Sequence, residues 1–417
     1  MAVRQALLCG ILLSVLPGRA AHAHELPADL LALTGRELPH LLGVPAAELT
    51  ATAFHGAKPT TIHVQVDQRR RTSDGRWQYI FEAGDEPHPA TPPGIGADDL
   101  VLLLVAEGGE RFQPAPPRST EIEVVGADGN RSWFYLARGT PAGLPPLLSY
   151  DAVNDHVRGQ DYLLGFRHNG TPVIDTLLLG DPDRAPNILD RSKARLDVDL
   201  ALAIGHIART EEDVRVRTTG LHTGPLRIIR ECEVRGRMLF GLYSPPVRDN
   251  FIFYPHGFVL PTTVRLTPTA RMLTRSVTLR ISMDLSDAAG ELTFESAPQL
   301  LPPVAIDGHG GSRSGTQPID WYLVRRADTG LLGWLEAPDE VARAVTLYYR
   351  DERTHADPPE GKPGEIGDHG FLYRHTGALP AGDVRLSSHA WILHGAQLDR
   401  PAAELRALNT RPTVRVH

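Results

Sequence analysis

An all-β fold is what this chain of 417 residues predicts, and three features carry that reading. Its 39 glycines and 35 prolines run along the whole length and cut it into short elements, the punctuation that strands and tight turns require. Period-two alternation recurs. Val277, Leu279, Ile281, Met283 and Leu285 share one strand face, while Ser276, Thr278, Arg280, Ser282 and Asp284 share the other. Helical periodicity is sparse beside this, so few and short helices are expected.

Taken in order, the chain opens as a secretory signal. Arg4 gives positive charge, Ala6 to Leu16 an apolar core, Pro17-Gly18 a break, and Ala21-His22-Ala23 a small-residue cleavage site. The expectation is a signal peptide over 1–23, removed to leave a periplasmic or secreted chain. The apolar run is too short to span a bilayer and no later run is longer, so no membrane span survives cleavage. Leu30 to Leu42 has room for one or two helical turns around Gly35 and Pro39. Ile62, Val64 and Val66 alternate with polar residues. Leu100 to Val105 is an apolar strand. Glu121–Val125 and Ser132–Leu136 flank the hairpin turn Ala127-Asp128-Gly129-Asn130, and Asn169-Gly170 turns another. Thr346–Tyr349 is β-prone, Asp351–Gly370 reads as a long acidic loop, and Asp399 is placed to cap a helix over Arg400–Leu408. With Pro87–Pro93 and Gly308–Gly315 as linker candidates, the expected domains are an N-terminal β region over 24–142, a central β-sandwich over 143–315 and a C-terminal β region over 316–417. The last two have the composition to pack as one large sandwich.

Composition excludes several classes. The formal net charge is −7 and the basic residues are scattered, which argues against a nucleic-acid partner. Only Cys232 survives cleavage, so no internal disulfide forms and no Cys-x-x-Cys-His haem attachment exists. There is no Gly-x-Ser-x-Gly elbow. Gly94-Ile95-Gly96-Ala97 has a fragment of a dinucleotide fingerprint, but in a proline-rich β context that the fingerprint does not use.

Two clusters hold polar chemistry. In the first, Arg227 and Arg230 lie on a strand of high charge density with Glu231, Glu233 and Arg235. Tyr254 and His256 follow on the aromatic stretch NFIFYPHGF, two apart and therefore on one face of an extended strand. Arginine forks bind carboxylates, and a tyrosine–histidine pair can move a proton beside one. This predicts substrate binding by Arg227 and Arg230 and β-elimination on an acidic sugar by Tyr254 and His256. The alternative is cross-strand ion pairing and an aromatic core strand. In the second cluster, Asp351, His355, Asp357, Asp368 and His369, with Glu360 and Glu365, offer oxygen ligands for calcium or mixed ligands for zinc or copper, without an EF-hand or HExxH spacing. Cleavage after Ala23 would also expose His24 as an N-terminal copper ligand.

Three stretches carry a resemblance. His63-Val64-Gln65-Val66-Asp67 with Asp74-Gly75-Arg76-Trp77 resembles a signature in the N-terminal β-barrel of exported polysaccharide-lyase-like proteins. Gly224-Pro225-Leu226-Arg227 resembles a strand of their galactose-mutarotase-like supersandwich. Tyr349-Arg350-Asp351-Glu352 through Gly367-Asp368-His369-Gly370-Phe371 resembles a C-terminal feature of exported bacterial proteins on the same plan. The resemblance implies a barrel-like domain followed by a supersandwich, a polysaccharide partner, and a ligand role for Arg227. A non-catalytic periplasmic binding or accessory protein of a metal or electron-transfer system is the other reading.

Overall fold

The computed structural model describes residues 26–72, 77–81, 94–126, 129–200, 205–237, 242–266, 274–297, 301–357, 360, 364–376 and 382–417. The signal peptide, His24, the Pro87–Pro93 linker candidate and the Asp74-Gly75-Arg76 stretch lie outside these residues. The chain is all-β, with antiparallel pairing in every described ladder. It divides into two units. One takes Tyr150–Thr219 and Glu231–Pro401; the other takes the chain up to Ser149, Gly220–Arg230 and Ala402–His417. The residues on both sides of position 315 belong to the same unit.

In the unit that holds the N-terminal strands, a five-stranded sheet runs in the order 413–416, 120–125, 131–138, 49–55, 58–62, and a three-stranded sheet in the order 30–34, 100–104, 65–67. Alternation places Leu31, Leu33, Val101 and Leu103 from one sheet and Leu49, Ala53, Ile122, Phe134 and Leu136 from the other in a common apolar core. Each such side chain, removed from water, contributes about 1.5–3 kcal/mol. Leu30–Thr34 is a strand, not a helix. The leucine-rich run pairs with Leu100–Leu104, and Gly35 and Pro39 leave only single 3-10 turns behind it. The 120–125 and 131–138 strands form the expected hairpin, although residues 127–128 of its turn are not among those described.

The larger unit is built on two broad sheets. The first runs 206–209, 189–200, 274–285, 365–376, 345–352, 311–312. The second holds 247–254, 257–266, 382–394, 329–336, 321–326, 292–297 and 301–306 in that order, after residues 214–219 and 231–236 of two further strands. Ring contacts join the two: Phe294 stacks on Tyr349 at 4.5 Å, and Tyr322 meets His369 edge-on at 4.8 Å. Gly308–Gly315 is not a linker, because Gly311 and Ser312 pair with Asp351 and Arg350. The acidic segment is shorter than expected as a loop: Asp351 and Glu352 end one strand, and Glu365–Thr376 is the next. The C-terminal helix covers Pro401–Asn409, one residue from its expected start, since proline is tolerated at the first helical position.

Candidate functional site

Two of the three stretches that carried the resemblance interlock. Gln65 Oε1 accepts the backbone N–H of both Leu226 and Arg227 at 2.9 Å. Its amide nitrogen donates to Asp67 Oδ1 at 2.6 Å and to the Arg227 carbonyl at 2.9 Å. Arg227 Nε donates to Asp67 Oδ2 at 2.7 Å, and His222 Nε2 lies 2.7 Å from Asp67 Oδ1. A Cβ on Gly224 would stand 2.2 Å from the Gln65 side chain, so only glycine lets the strand end sit so close. Burial pushes the Asp67 carboxyl upward, but the Arg227 guanidinium and the hydrogen bonds from His222 and Gln65 outweigh it and hold its pKa at about 2. Arg227 is 0% exposed. It is a clasp between two segments and offers no surface to a polymer. Arg230 is buried as well.

The NFIFYPHGF stretch is a hairpin. Strands 247–254 and 257–266 pair through Tyr254 and Gly257, so Pro255 and His256 form the turn. Tyr254 and His256 therefore do not share a strand face. The Tyr254 side chain is 1% exposed and packs 5.7 Å from Trp391. A Cβ at Gly257 would meet the Trp391 ring at 2.3 Å. His256 is half-buried, with Nδ1 2.8 Å from Asp161 Oδ2, and His394 Nε2 approaches the same oxygen at 3.2 Å. The imidazole thus ties a hairpin turn to a neighbouring loop. The proton-transfer pair expected from the sequence is not assembled.

The chemistry-bearing surface is one face of the six-stranded sheet. Register places Lys193 opposite Ser282 and Arg195 opposite Arg280, then Ser282 opposite Gly370, then Tyr348 opposite Gly370 and Arg350 opposite Asp368. These residues line one side, and the acidic segment folds over them. Lys193 Nζ, whose side chain is 0% exposed, lies 2.8 Å from Asp284 and Glu360, 3.3 Å from Asp357, 3.5 Å from Asp368 and 3.6 Å from Glu365. Arg280 reaches Asp357 at 2.5 Å, Glu365 at 3.1 Å and Asp368 at 3.8 Å. Arg195 pairs with Glu211 and reaches Glu360 at 3.3 Å. Arg350 reaches Glu365 at 3.3 Å.

Carboxylates outnumber cations in this network. Glu211, Asp284, Asp357, Glu360, Glu365 and Asp368 face Lys193, Arg195, Arg280 and Arg350. The deficit appears in proton affinity. Burial first, and Asp368 second, raise Glu365 to about 8. The same two causes raise Asp284 to about 7 against the pull of Lys193. Burial works against the Lys193 charge, yet Asp368 and Asp284 hold its proton on more firmly than in water. Burial also opposes the Asp357 charge, but Arg280, Lys193 and Arg195 keep that carboxyl well below the usual range. Two carboxyl groups here are therefore poised to carry protons near neutral pH.

The five expected metal ligands separate. Asp357 and Asp368 do meet, with Glu365, and one oxygen from each lies within 4.8 Å of the others; Arg280 already reaches all three. Asp351 is 0% exposed and accepts the backbone N–H of Gly308 at 2.8 Å, Gly367 at 3.0 Å, and Asp307 and Gly310 at 3.1 Å. It is a backbone anchor. His355 stands 2.6 Å from Arg350 Nη1 and 3.5 Å from Glu365. His369 is adjacent in sequence to Asp368 and so points to the opposite, apolar face of the sheet. The sequence reading passed over Lys193, Arg195 and Asp190. Their signal was a strand, Leu189–Leu200, with a charge at every second position from Arg191 to Asp199.

Beside the network opens a polar cavity of about 520 Å³, lined by Asp190, Arg191, Asp284, Asp287, Arg353 and Glu360 among others. Asp190 and Asp287 are exposed at its mouth and Asp284 is buried in its wall. One oxygen each of Asp190, Asp284 and Glu360 lies within 4.8 Å of the others. The cavity presents carboxylate acceptors and guanidinium donors together, the groups that recognise vicinal hydroxyls.

No family model matches the chain, and no curated protein matches it. Thirteen solved chains match. They include an α-mannosidase from Enterococcus faecalis V583, with a TM-score of 0.47 and 9% identity over 89% of this chain and 41% of that one. A protein in glycosyl hydrolase family 38 from Enterococcus faecalis gives 0.43 and 9% over 92% and 49%. The α-N-acetylgalactosaminidase NagBb from Bifidobacterium bifidum, in complex with GalNAc, gives 0.34 and 12% over 60% and 38%. The chain spans less than half the length of each, none of the three is named as a lyase, and likeness at this level assigns neither family nor activity.

Proposed function

We propose that the protein is an exported carbohydrate-binding protein whose ligand occupies the polar cavity at Asp190, Asp284 and Glu360. The observation that carries this is the grouping of three carboxylates, oxygens within 4.8 Å of one another, on the wall of a cavity that also holds Arg191, Arg353 and a fourth carboxylate, Asp287. Carboxylates accept from sugar hydroxyls and guanidinium groups donate to them, so a polyhydroxylated ligand satisfies both without a net charge of its own. The ligand class is an oligosaccharide or polysaccharide end. Export rests on the tripartite N-terminus, and amino-terminal sequencing of the periplasmic fraction tests it: His24 is the expected first residue.

A second reading, glycoside hydrolysis, is favoured by one further observation. Asp284 carries a raised pKa of about 7 and stands beside Asp190 and Glu360, one oxygen of each within 4.8 Å of the others, which sets a protonated acid next to further carboxyl groups, the pairing a glycosidase uses. A glycan array followed by calorimetry on the hits tests binding. Asp190→Asn combined with Glu360→Gln should weaken the best ligand about tenfold or more. A panel of neutral and acidic glycans that leaves wild type and double variant indistinguishable sinks the proposal. Release of p-nitrophenol from aryl glycosides, abolished by Asp284→Asn with binding retained, separates hydrolysis from binding alone.

A further inference from the structure

We propose that the space between the two broad sheets of the larger unit binds a small, largely apolar molecule carrying one hydrogen-bond donor, and that His369 accepts from that donor. Alternation on the six-stranded sheet sends Lys193, Arg280 and Asp284 to one side and Ala194, Leu279, Ile281 and Met283 to the other. The second set should be packed solid in a sandwich core. Instead Leu279, Ile281 and Met283 are only half-buried, because they border a cavity of about 240 Å³ shared with Phe251, Leu260 and Phe371. A space of this size and largely apolar lining is a pocket for apolar matter; water enters such spaces poorly.

Of the polar groups that border it, Lys193, Glu211 and Asp249 are held in ion pairs or hydrogen bonds, and one buried imidazole defines the ligand further. His369 is 0% exposed and lines the cavity. Its Nδ1 is 2.7 Å from the Gly367 carbonyl oxygen, which can only accept, so Nδ1 carries the hydrogen. Nε2 is then a lone pair, and it has no hydrogen-bond partner. The ring is held between Phe294 at 5.6 Å and Tyr322 at 4.8 Å, which fixes where the lone pair points. Burial lowers the imidazole pKa, so the acceptor persists at neutral pH. An apolar body with a hydroxyl or N–H at one end matches the apolar lining and satisfies this lone pair, as buried polar atoms in native proteins are satisfied.

A matched pair of probes, p-cresol and toluene, tests this, since they differ by one hydroxyl. Calorimetry on the full mature chain should show p-cresol binding about five- to tenfold tighter than toluene, the worth of one hydrogen bond. In His369→Phe the preference should vanish while toluene still binds. Ile281→Trp, which fills the cavity, should abolish both. A crystal structure of the wild type soaked in p-cresol should show the ring between the sheets. Failure of either probe to bind at millimolar concentration, or a preference that survives in His369→Phe, overturns the proposal. So does density for a single water on Nε2 in the soaked crystal. Should His369→Phe fail to fold, the Ile281→Trp titration and the soaked crystal decide the matter alone.

Discussion

Two buried ion networks in this protein, one in each unit, have opposite economies. Around Asp67 a single carboxylate meets one guanidinium, one imidazole and one amide. Around Lys193 five carboxylates crowd one ammonium, with three arginines at the margins. The first network is balanced, and the Asp67 carboxyl is driven to about 2. The second is short of positive charge, and Glu365 is driven to about 8. The balanced network joins segments distant in sequence. The unbalanced one borders a polar cavity of about 520 Å³. Balance marks architecture; an excess of one sign beside a cavity marks a place where protons or ligands exchange.

The comparison breaks first at Asp67. Asp67→Ala leaves the Arg227 guanidinium buried without its carboxylate and should cost about 3–5 kcal/mol in urea unfolding, with no change in carbohydrate binding by surviving folded protein. A loss under 1 kcal/mol would mean that the clasp is ornamental. The same carboxyl sets an acid limit. Its folded pKa lies below the ordinary 3.8, so its stabilisation is complete above about pH 4 and is lost as pH falls toward 2, on the order of 2 kcal/mol. Asp67→Asn should remove that acid-side loss from the pH–stability curve.

Lys193→Met is next in size. Removing the one ammonium from among five carboxylates leaves them to repel or to take up protons. The expected cost is about 2–3 kcal/mol at pH 5, where protonation is easy, and more at pH 8. The Asp67 variants should show no such growth with rising pH. Equal costs of Lys193→Met at both pH values would mean that the network holds no exchangeable proton.

Glu365→Gln sharpens the contrast with less cost. A carboxyl whose folded pKa is raised binds more protons folded than unfolded over the interval from about 4.5 to 8, so stability falls as pH rises through that window. Asp284 adds to the fall up to about 7. The glutamine variant should flatten the slope between pH 5 and pH 8 and be relatively more stable than wild type at the alkaline end. Denaturant midpoints at four pH values suffice. A wild-type slope of the opposite sign would contradict the raised carboxyls.

Much of the fold was legible because alternation is local. The 274–285 strand, the 120–138 hairpin and the short C-terminal helix follow from residue order alone. The site was less so. Arg280, Ser282 and Asp284 read only as the polar face of an alternating strand, yet they are 9%, 3% and 2% exposed. What covers them, the segment bearing Asp357 and Glu360, lies more than 70 residues away, and no periodicity reports on a distant lid. Asp368 and His369 read as joint metal ligands because both fall in a segment read as one acidic loop. A strand sends neighbours to opposite faces, and that rule, applied to Glu365–Thr376, would have separated them. Tyr254 and His256 failed for the converse reason. Two residues share a face only while the strand continues, and Pro255 begins a turn.

His256 supplies the smallest test. Its Nδ1 lies 2.8 Å from Asp161, but both side chains keep about a third of their surface in water, at 32% and 28%, and His394 approaches the same oxygen. Partial solvation and a second partner both dilute the pair, so His256→Ala should cost no more than about 1 kcal/mol and should leave carbohydrate binding unchanged. A selective loss of binding or turnover in this variant, at full stability, would shift the chemistry from the six-stranded sheet to the hairpin turn. The balanced and unbalanced networks would then both be architecture.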